Sequence, residues 1–280
     1  MIRLSDRELQ EFVDEDVPYF DLTTYFQGVH TKEILLEIFT REDLLIACSD
    51  DAARMAKLYG CEVVQVVKPQ TLLKKGESIL TLRGEYSNVQ RVYRSVQIFL
   101  EYSCKIATYA YEMKRSIDEV NANCELLATR KTFPFAKKFC IKSIMSGGAM
   151  PHRLGLSETV LFFKHHRSVY ENEAAFYDAL KEIKHKAVEK KIVVESATFE
   201  DAEALMAFGA DVLQIEKASP LLLERIVAHK NLHHKEVKIL ATGGINKGNV
   251  KEFAQTGVDG IVTSALYSCG MADLGSRIMK

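Results

Sequence analysis

The spacing of apolar residues changes character twice along the chain. Ser5-Asp6-Arg7-Glu8 has the form of a capping box, in which a Ser and a Glu three residues on satisfy each other's backbone donors. Leu9, Phe12 and Val13 follow as an apolar stripe, so a helix is expected there, ended by Pro18 and followed by a turn at Asp21-Leu22-Thr23-Thr24. Between residues 34 and 48 the runs ILLEIF and LLIAC read as strands. Asp50-Asp51 is expected to cap a short helix through Tyr59, stopped by Gly60. Cys61 to Val67 is β-branched and strand-like, Lys75-Gly76-Glu77 is a turn, and Ser78 to Leu82 is a further strand. From Asn88 to about Val120 the pattern lengthens into one helix, with Val89, Val92, Val96, Phe99, Leu100 and Ile106 near helical spacing.

Beyond residue 124 the pattern becomes a regular alternation. Glu125 to Ala128 is a strand-like run. Thr159 to Phe163 precedes a helix from about Asn172 to Lys190. Ile192 to Glu195 precedes one capped by Thr198 and stopped by Gly209. Val212 to Ile215 precedes one opened by Ser219-Pro220, a cap followed by proline in the first turn. Val237 to Leu240 precedes one capped by Asn246 and stopped by Gly257, and Gly260 to Val262 is the last strand. Strands alternating with helices predict parallel strands joined by right-handed crossovers. The expected class is therefore α/β, with an α/β barrel, closed or incomplete, in the second part of the chain.

At 280 residues and 47% hydrophobic composition the chain can bury one large core or two smaller ones. A net charge of -1 argues against a general nucleic-acid surface, so any basic site must be local. No apolar run has the length of a membrane span, and MIRLSDRELQEF lacks a signal-peptide core. The six cysteines are scattered without zinc-like spacing, which reads as reduced, buried thiols in a cytoplasmic protein.

In α/β barrels the site lies at the C-terminal ends of the strands. Those ends carry Arg130 and Lys131, then Phe163-Lys164, then Glu195, Glu216-Lys217, Thr242-Gly243-Gly244, and Thr263-Ser264. Between the first two comes Gly147-Gly148, followed by His152-Arg153. Two readings compete for the cations: solvated loop charges, or bidentate capture of an anion. Their place beside turn residues at a strand end favours capture. Glu195 and Glu216 replace apolar residues at neighbouring strand ends, where they would hold Mg²⁺ on a phosphorylated substrate or pair with Arg130, Lys131 and Arg153. The glycine turn, late in the barrel, suits a phosphate. His165 and His166 with Arg167 read as an exposed loop. The His229 to Glu236 run reads as a charged surface turn at the far end of the barrel. Several cations, paired carboxylates and no nucleophile suit group transfer at a centre that develops positive charge.

At these residues the chain resembles the quinolinate phosphoribosyltransferases, also called nicotinate-nucleotide pyrophosphorylases, and among them the ModD-type pyrophosphorylases encoded with molybdate transport genes. Asp21-Leu22-Thr23-Thr24 resembles the family's N-terminal GDLTT-like segment, Thr129-Arg130-Lys131-Thr132 with Pro134 its TRKTxP motif, and Gly147 to Arg153 its GGGxNHR motif. Glu195 and Glu216 fall on its metal and ribose carboxylates and Thr242-Gly243-Gly244 on its phosphate turn. Arg94 falls on a helix arginine that reaches the partner subunit's site. The resemblance implies an N-terminal α/β sandwich domain (1–107) and an open α/β barrel (108–280), with the C-terminal tail returning to the first domain. It implies a homodimer or larger homo-oligomer, and Mg²⁺-assisted transfer of ribose 5-phosphate from phosphoribosyl pyrophosphate to a heteroaromatic acid. The implied substrate-binding residues are Arg94, Arg130, His152, Arg153, Thr242, Gly243, Gly244, Thr263 and Ser264; the implied catalytic residues are Arg130, Lys131, His152, Arg153, Glu195 and Glu216.

The pattern also departs from the family. Phe163 stands at the acceptor-site lysine, and Lys164 is one residue late and so on the other face of a strand. Pro151 replaces the Asn before His-Arg, Ala149 the third glycine, Phe135 the glycine after Pro134, and Glu216 an Asp. An altered acceptor is the expectation. A non-catalytic nucleotide-binding or molybdate-associated accessory protein is the alternative, and a sugar-phosphate isomerase is disfavoured by the clustered cations.

Overall fold

The computed structural model describes residues 2–279. In chain order its elements are α1 (Asp6–Asp16), α2 (Leu22–Gln27), β1 (Glu33–Thr40), β2 (Leu44–Leu45), α3 (Ser49–Leu58), β3 (Glu62–Val66), β4 (Leu72–Leu73), β5 (Ser78–Glu85) and α4 (Tyr86–Asp118). There follow β6 (Glu125–Ala128), α5 (Lys137–Ser146), β7 (Met150–Pro151), β8 (Val160–Phe162), α6 (Lys164–Arg167), α7 (Glu173–Lys186), β9 (Ile192–Ser196) and α8 (Phe199–Ala207). The chain ends with β10 (Val212–Glu216), α9 (Pro220–His233), β11 (Lys238–Thr242), α10 (Val250–Gln255), β12 (Gly260–Thr263) and β13 (Leu274–Met279).

Among the described residues the first compact unit comprises 2–111, 132–148 and 267–279. Its sheet has the order β13-β1-β5-β3 and is antiparallel throughout. Ile34, Leu36 and Ile38 alternate inward on β1 and meet Leu80 and Leu82 of β5 in the core. Ser5 and Glu8 form the expected capping box. Two local expectations need correction. Asp21 caps the short helix α2 instead of sitting in a bare turn, because its carboxylate accepts from Thr23 N–H at 3.0 Å. The helix α3 has Cys48 at its cap, in the left-handed region at φ 54°, while Asp50 and Asp51 occupy the first turn.

The two units interleave in sequence. Residues 132–148 lie in the barrel half of the sequence yet pack with the first unit. Helix α5, which no strand-helix alternation announced, does this. Buried Lys142 reaches Asp50 at 2.6 Å and Asp51 at 2.7 Å. Gly147 lies so close to α4 that a Cβ there would come within 2.2 Å of the Ala107 carbonyl oxygen. The glycine pair is thus a helix contact at Gly147 and a turn at Gly148, whose φ is 85°.

The second unit comprises residues 112–131 and 149–266. Its seven strands are parallel, in the order β7-β6-β12-β11-β10-β9-β8. Around a barrel this is the sequential order, with no pairing between β7 and β8, so the barrel is open there. Thr198 and Ser219 cap α8 and α9 as expected, and Gly209 stops α8 at φ 96°. Helix α10 starts later than expected: Asn249 precedes it, and Asn246 instead accepts from Gly248 N–H in the turn before it. His229 and His233 lie in the last turns of α9 and not in a loop, so that run is a helix end.

Candidate active site

Strand register explains which side chains meet. Glu195 of β9 lies opposite Gln214 of β10, and Glu216 opposite Thr242 of β11. Gln214 and Glu216 are two residues apart and share a face, so all four point the same way. Thr242 in turn lies opposite Val262. On the other side, Leu161 pairs with Val193, which puts Leu161 and Phe163 on the face of Glu195. Together with Thr129, Arg130, Lys131, His152 and Arg153 these residues line one cleft of about 260 Å³. The loops after β6 and β7 are pinned there by backbone bonds: Thr129 N–H donates to Thr263 O at 3.0 Å and His152 N–H to Ala128 O at 2.9 Å.

The cleft separates its charges by sign and leaves them unpaired. Among the described residues no ion pair joins Glu195 or Glu216 to Arg130, Lys131 or Arg153, which removes the ion-pair reading of the carboxylates. Arg153 is only 8% exposed and forms no ion pair among the described residues. Burial, and then the Arg130 charge, hold its guanidinium below its ordinary value, though it remains charged. A buried unpaired cation is costly unless a ligand compensates it. Burial, and then Arg153, also push the His152 imidazole down, so it is neutral at pH 7. Burial raises the Glu195 carboxyl and the neighbouring Glu216 raises it further, against a stabilising backbone N–H from Lys164.

The glycine turn closes the carboxylate side. Gly243 has φ 93°, and a Cβ there would lie 2.6 Å from Lys217 Cγ and 3.0 Å from Glu216 Oε1. Only glycine lets the turn pass so close to Glu216. Gly244, at φ 75°, has nothing within 4 Å of a Cβ position, so its backbone is open to a ligand. The six-residue helix α10 begins only at Val250, so the turn's own N–H groups, not a helix end, would meet an anion here. The Thr263 hydroxyl donates to Ile245 O at 2.6 Å and accepts from Ala265 N–H at 3.0 Å, tying β12 to this turn, with Ser264 half-buried beside it.

Four further placements bear on the predicted residues. Arg94 is exposed on α4 of the first unit, over the Tyr93 ring, and does not line this cleft. Lys164 lines a separate chamber of about 950 Å³ that shares Glu195 and Glu216 with the cleft, as strand alternation predicts. The segment read as an exposed loop is a single helical turn, α6, in which Phe163 stacks near His165 and His166 at 5.7 Å. Its Arg167 is half-buried with its side chain largely covered, contrary to expectation. Gln214 was missed as a cleft residue; its signal was a polar side chain inside the apolar run VLQI.

An open α/β barrel with a cation cluster facing paired carboxylates and a glycine turn defines an enzyme-type site for an anionic, phosphate-bearing ligand. The family models agree with that class. Quinolinate phosphoribosyl transferase, N-terminal domain, matches residues 21–104, and its C-terminal domain matches residues 106–275. The chain belongs to the quinolinate phosphoribosyltransferase family. A "Putative pyrophosphorylase ModD" of Pasteurella multocida is 29% identical over 282 residues, covering 100% of this chain and 99% of that protein. A "Probable nicotinate-nucleotide pyrophosphorylase" of Methanothermobacter thermautotrophicus is 26% identical over 266 residues, covering 92% and 94%. The solved nicotinate-nucleotide pyrophosphorylase of Francisella tularensis superposes with a TM-score of 0.89 at 20% identity, covering 99% and 98%, and shares the fold.

Proposed function

We propose that the chain transfers ribose 5-phosphate from phosphoribosyl pyrophosphate to a heteroaromatic acid, releasing pyrophosphate, with an acceptor side reshaped by Phe163. The observation that carries this reading is the one-sided cleft: unpaired Arg130, Lys131 and Arg153 face unpaired Glu195 and Glu216. In the reaction a ring nitrogen of the acceptor forms a bond to C1 of the ribose as the C1–oxygen bond to pyrophosphate breaks. The ribose ring gains positive charge on the way, which Glu195 and Glu216 would stabilise. Arg130 and Lys131 would hold the departing negative charge, and Arg153 with neutral His152 would orient the acceptor carboxylate. Thr242, Gly243, Gly244 and Ser264 would receive the 5-phosphate.

Glu195 and Glu216 suit Mg²⁺: both are hard oxygen donors on adjacent strand ends, and their mutual repulsion would be relieved by a cation. Mg²⁺ takes one or two carboxylates and completes its shell with substrate oxygens and water. When bound it would neutralise pyrophosphate charge. The acceptor wall at Phe163 is aromatic where the family resemblance places a lysine. A less acidic ring than quinolinate is therefore the proposed acceptor. A homodimer or larger homo-oligomer belongs to the same reading, with Arg94 supplied to a neighbouring subunit's site.

The test is pyrophosphate release from phosphoribosyl pyrophosphate and Mg²⁺ with a panel of heteroaromatic mono- and diacids. Release with a monoacid and little with quinolinate is the expected result. Ready turnover of quinolinate with loss of CO₂ would remove the altered acceptor, and no release with any acid would remove the transfer itself.

A further inference from the structure

Arg167, the residue after the His pair, is absorbed by nothing described so far. Its side chain is only 9% exposed. Its two terminal nitrogens donate to the two carboxylate oxygens of Asp201, at 2.9 and 2.7 Å. The first of them also reaches the backbone carbonyl oxygen of Glu195 at 3.3 Å, and the second pairs with Glu173. The guanidinium lies over the fully buried Phe176 ring at 4.8 Å. Asp201 is itself held from other sides, by Ser196 Oγ at 2.7 Å and Tyr177 OH at 3.0 Å. Burial would raise the Asp201 carboxyl, but the bonds from Arg167 and Ser196 keep it below its ordinary value.

Two links therefore join α6 to residue 195. Arg167 grips the backbone of Glu195, and the Lys164 N–H at the start of the same turn stands near the Glu195 carboxylate and favours its charged form. Between these two lie the residues that hold Phe163 in place. Phe163 N–H donates to His166 Nδ1 at 2.9 Å, and Phe163 O accepts from His166 N–H at 2.9 Å. A four-residue turn has little stability of its own, so its position depends on what grips it. The planar fork of Arg makes the Asp201 and Glu195 bonds together; an ammonium has three donors on one nitrogen and no fork to span both Asp201 oxygens and the Glu195 carbonyl.

The geometry points to Arg167 as a positioning residue that locks the Phe163 wall and the Glu195 carboxylate into one fixed arrangement through Asp201. This rests on the transfer reading for its consequence in catalysis, since the two parts it joins are the acceptor wall and the ribose carboxylate. It does not rest on that reading for its structure. Removing the fork releases the segment 163–168 while the strands of the barrel stay formed.

The experiment compares wild type with Arg167→Met and Arg167→Lys, and with Lys230→Met as a control. Lys230 is a buried partner of Asp259 at 3.2 Å, and its loss costs stability in the same unit without touching α6. Amide hydrogen exchange is read on the protein without ligand. Both Arg167 variants are expected to exchange about tenfold or more faster at residues 163–168 and 195–197, because charge-assisted bonds are lost, while Lys230→Met leaves these segments as in wild type. Steady-state turnover should then show KM for the acceptor raised and kcat lowered in both Arg167 variants, with Lys no better than Met. Unchanged exchange in Arg167→Met overturns the proposal, with or without activity. So does equal loosening in Lys230→Met, or loosening that leaves kcat and KM as in wild type. Wild type that neither binds nor turns over phosphoribosyl pyrophosphate overturns the transfer reading alone, and the exchange result still decides the lock.

Discussion

At the scale of single residues, two side chains carry the distinctive chemistry of the cleft. Arg153 is buried and unpaired, so the protein bears its desolvation in the ligand-free state. Arg153→Met should leave the Tm unchanged or raised, while turnover falls about 100-fold through loss of charge-assisted bonds to the ligand. A destabilised variant would show that Arg153 has a structural partner after all. Phe163 makes the opposite case. Phe163→Lys should raise kcat/KM for a diacid relative to a monoacid by about tenfold, the worth of one charged hydrogen bond. No gain would mean that other changes, such as Pro151 or Ala149, decide the acceptor. His152 supplies a pH dependence. Burial and Arg153 hold its folded pKa below the unfolded value of about 6.5. Below that pH the unfolded chain binds the extra proton first, so stability falls as pH drops. Chemical denaturation at pH 7.5 and 5.5 should therefore show wild type losing stability relative to His152→Gln, and parallel curves would contradict a neutral buried imidazole. The cation motif and both carboxylates were legible as residue types at strand ends. Their freedom from one another was not, because ion pairing depends on distances across the barrel.

At the scale of elements, parity along strands settles most of the site. Alternation alone separates Phe163 from Lys164, and the structure sends them to different cavities. Caps at Ser5, Thr198 and Ser219 were readable because each pairs a side-chain acceptor with an orphan helix donor. Helix α5 was missed because the strand after it, β7, is only two residues long and shows no apolar run, and α6 because one turn has too few residues to show a period. The turn at Gly243 yields the prediction that belongs here. Gly243→Ala meets both a positive φ and a clash with the Glu216–Lys217 segment, and should cost about 1–3 kcal/mol in folding. Gly244→Ala meets no atom and should cost only the backbone part, about 1 kcal/mol. Equal losses by thermal denaturation would mean that the close approach at Gly243 is relieved elsewhere.

At the scale of the molecule, neither unit is one continuous stretch of chain. The first draws on three stretches of sequence, and its edge strand β13 is the last element made. That strand pairs with β1 from Leu35 opposite Met279 to Thr40 opposite Leu274. Deleting residues 274–280 should leave β1 as an open edge and give an aggregating chain, read by light scattering of the purified product. A soluble, monodisperse truncation would mean that β1 is covered without it. Long-range closure of this kind also slows folding, because the first strand waits for the last.

Taken alone, the order of residues determined the alternation of strands and helices, the α/β class, and the side-chain chemistry at the strand ends. These depend on local periodicity, caps and parity, which act over a few residues. The tertiary structure alone decided that 132–148 joins the first unit, that the cations and carboxylates stand apart, and that the Arg167 side chain is covered. Each of these depends on contacts between residues far apart in sequence, for which a single chain read in order holds no distance.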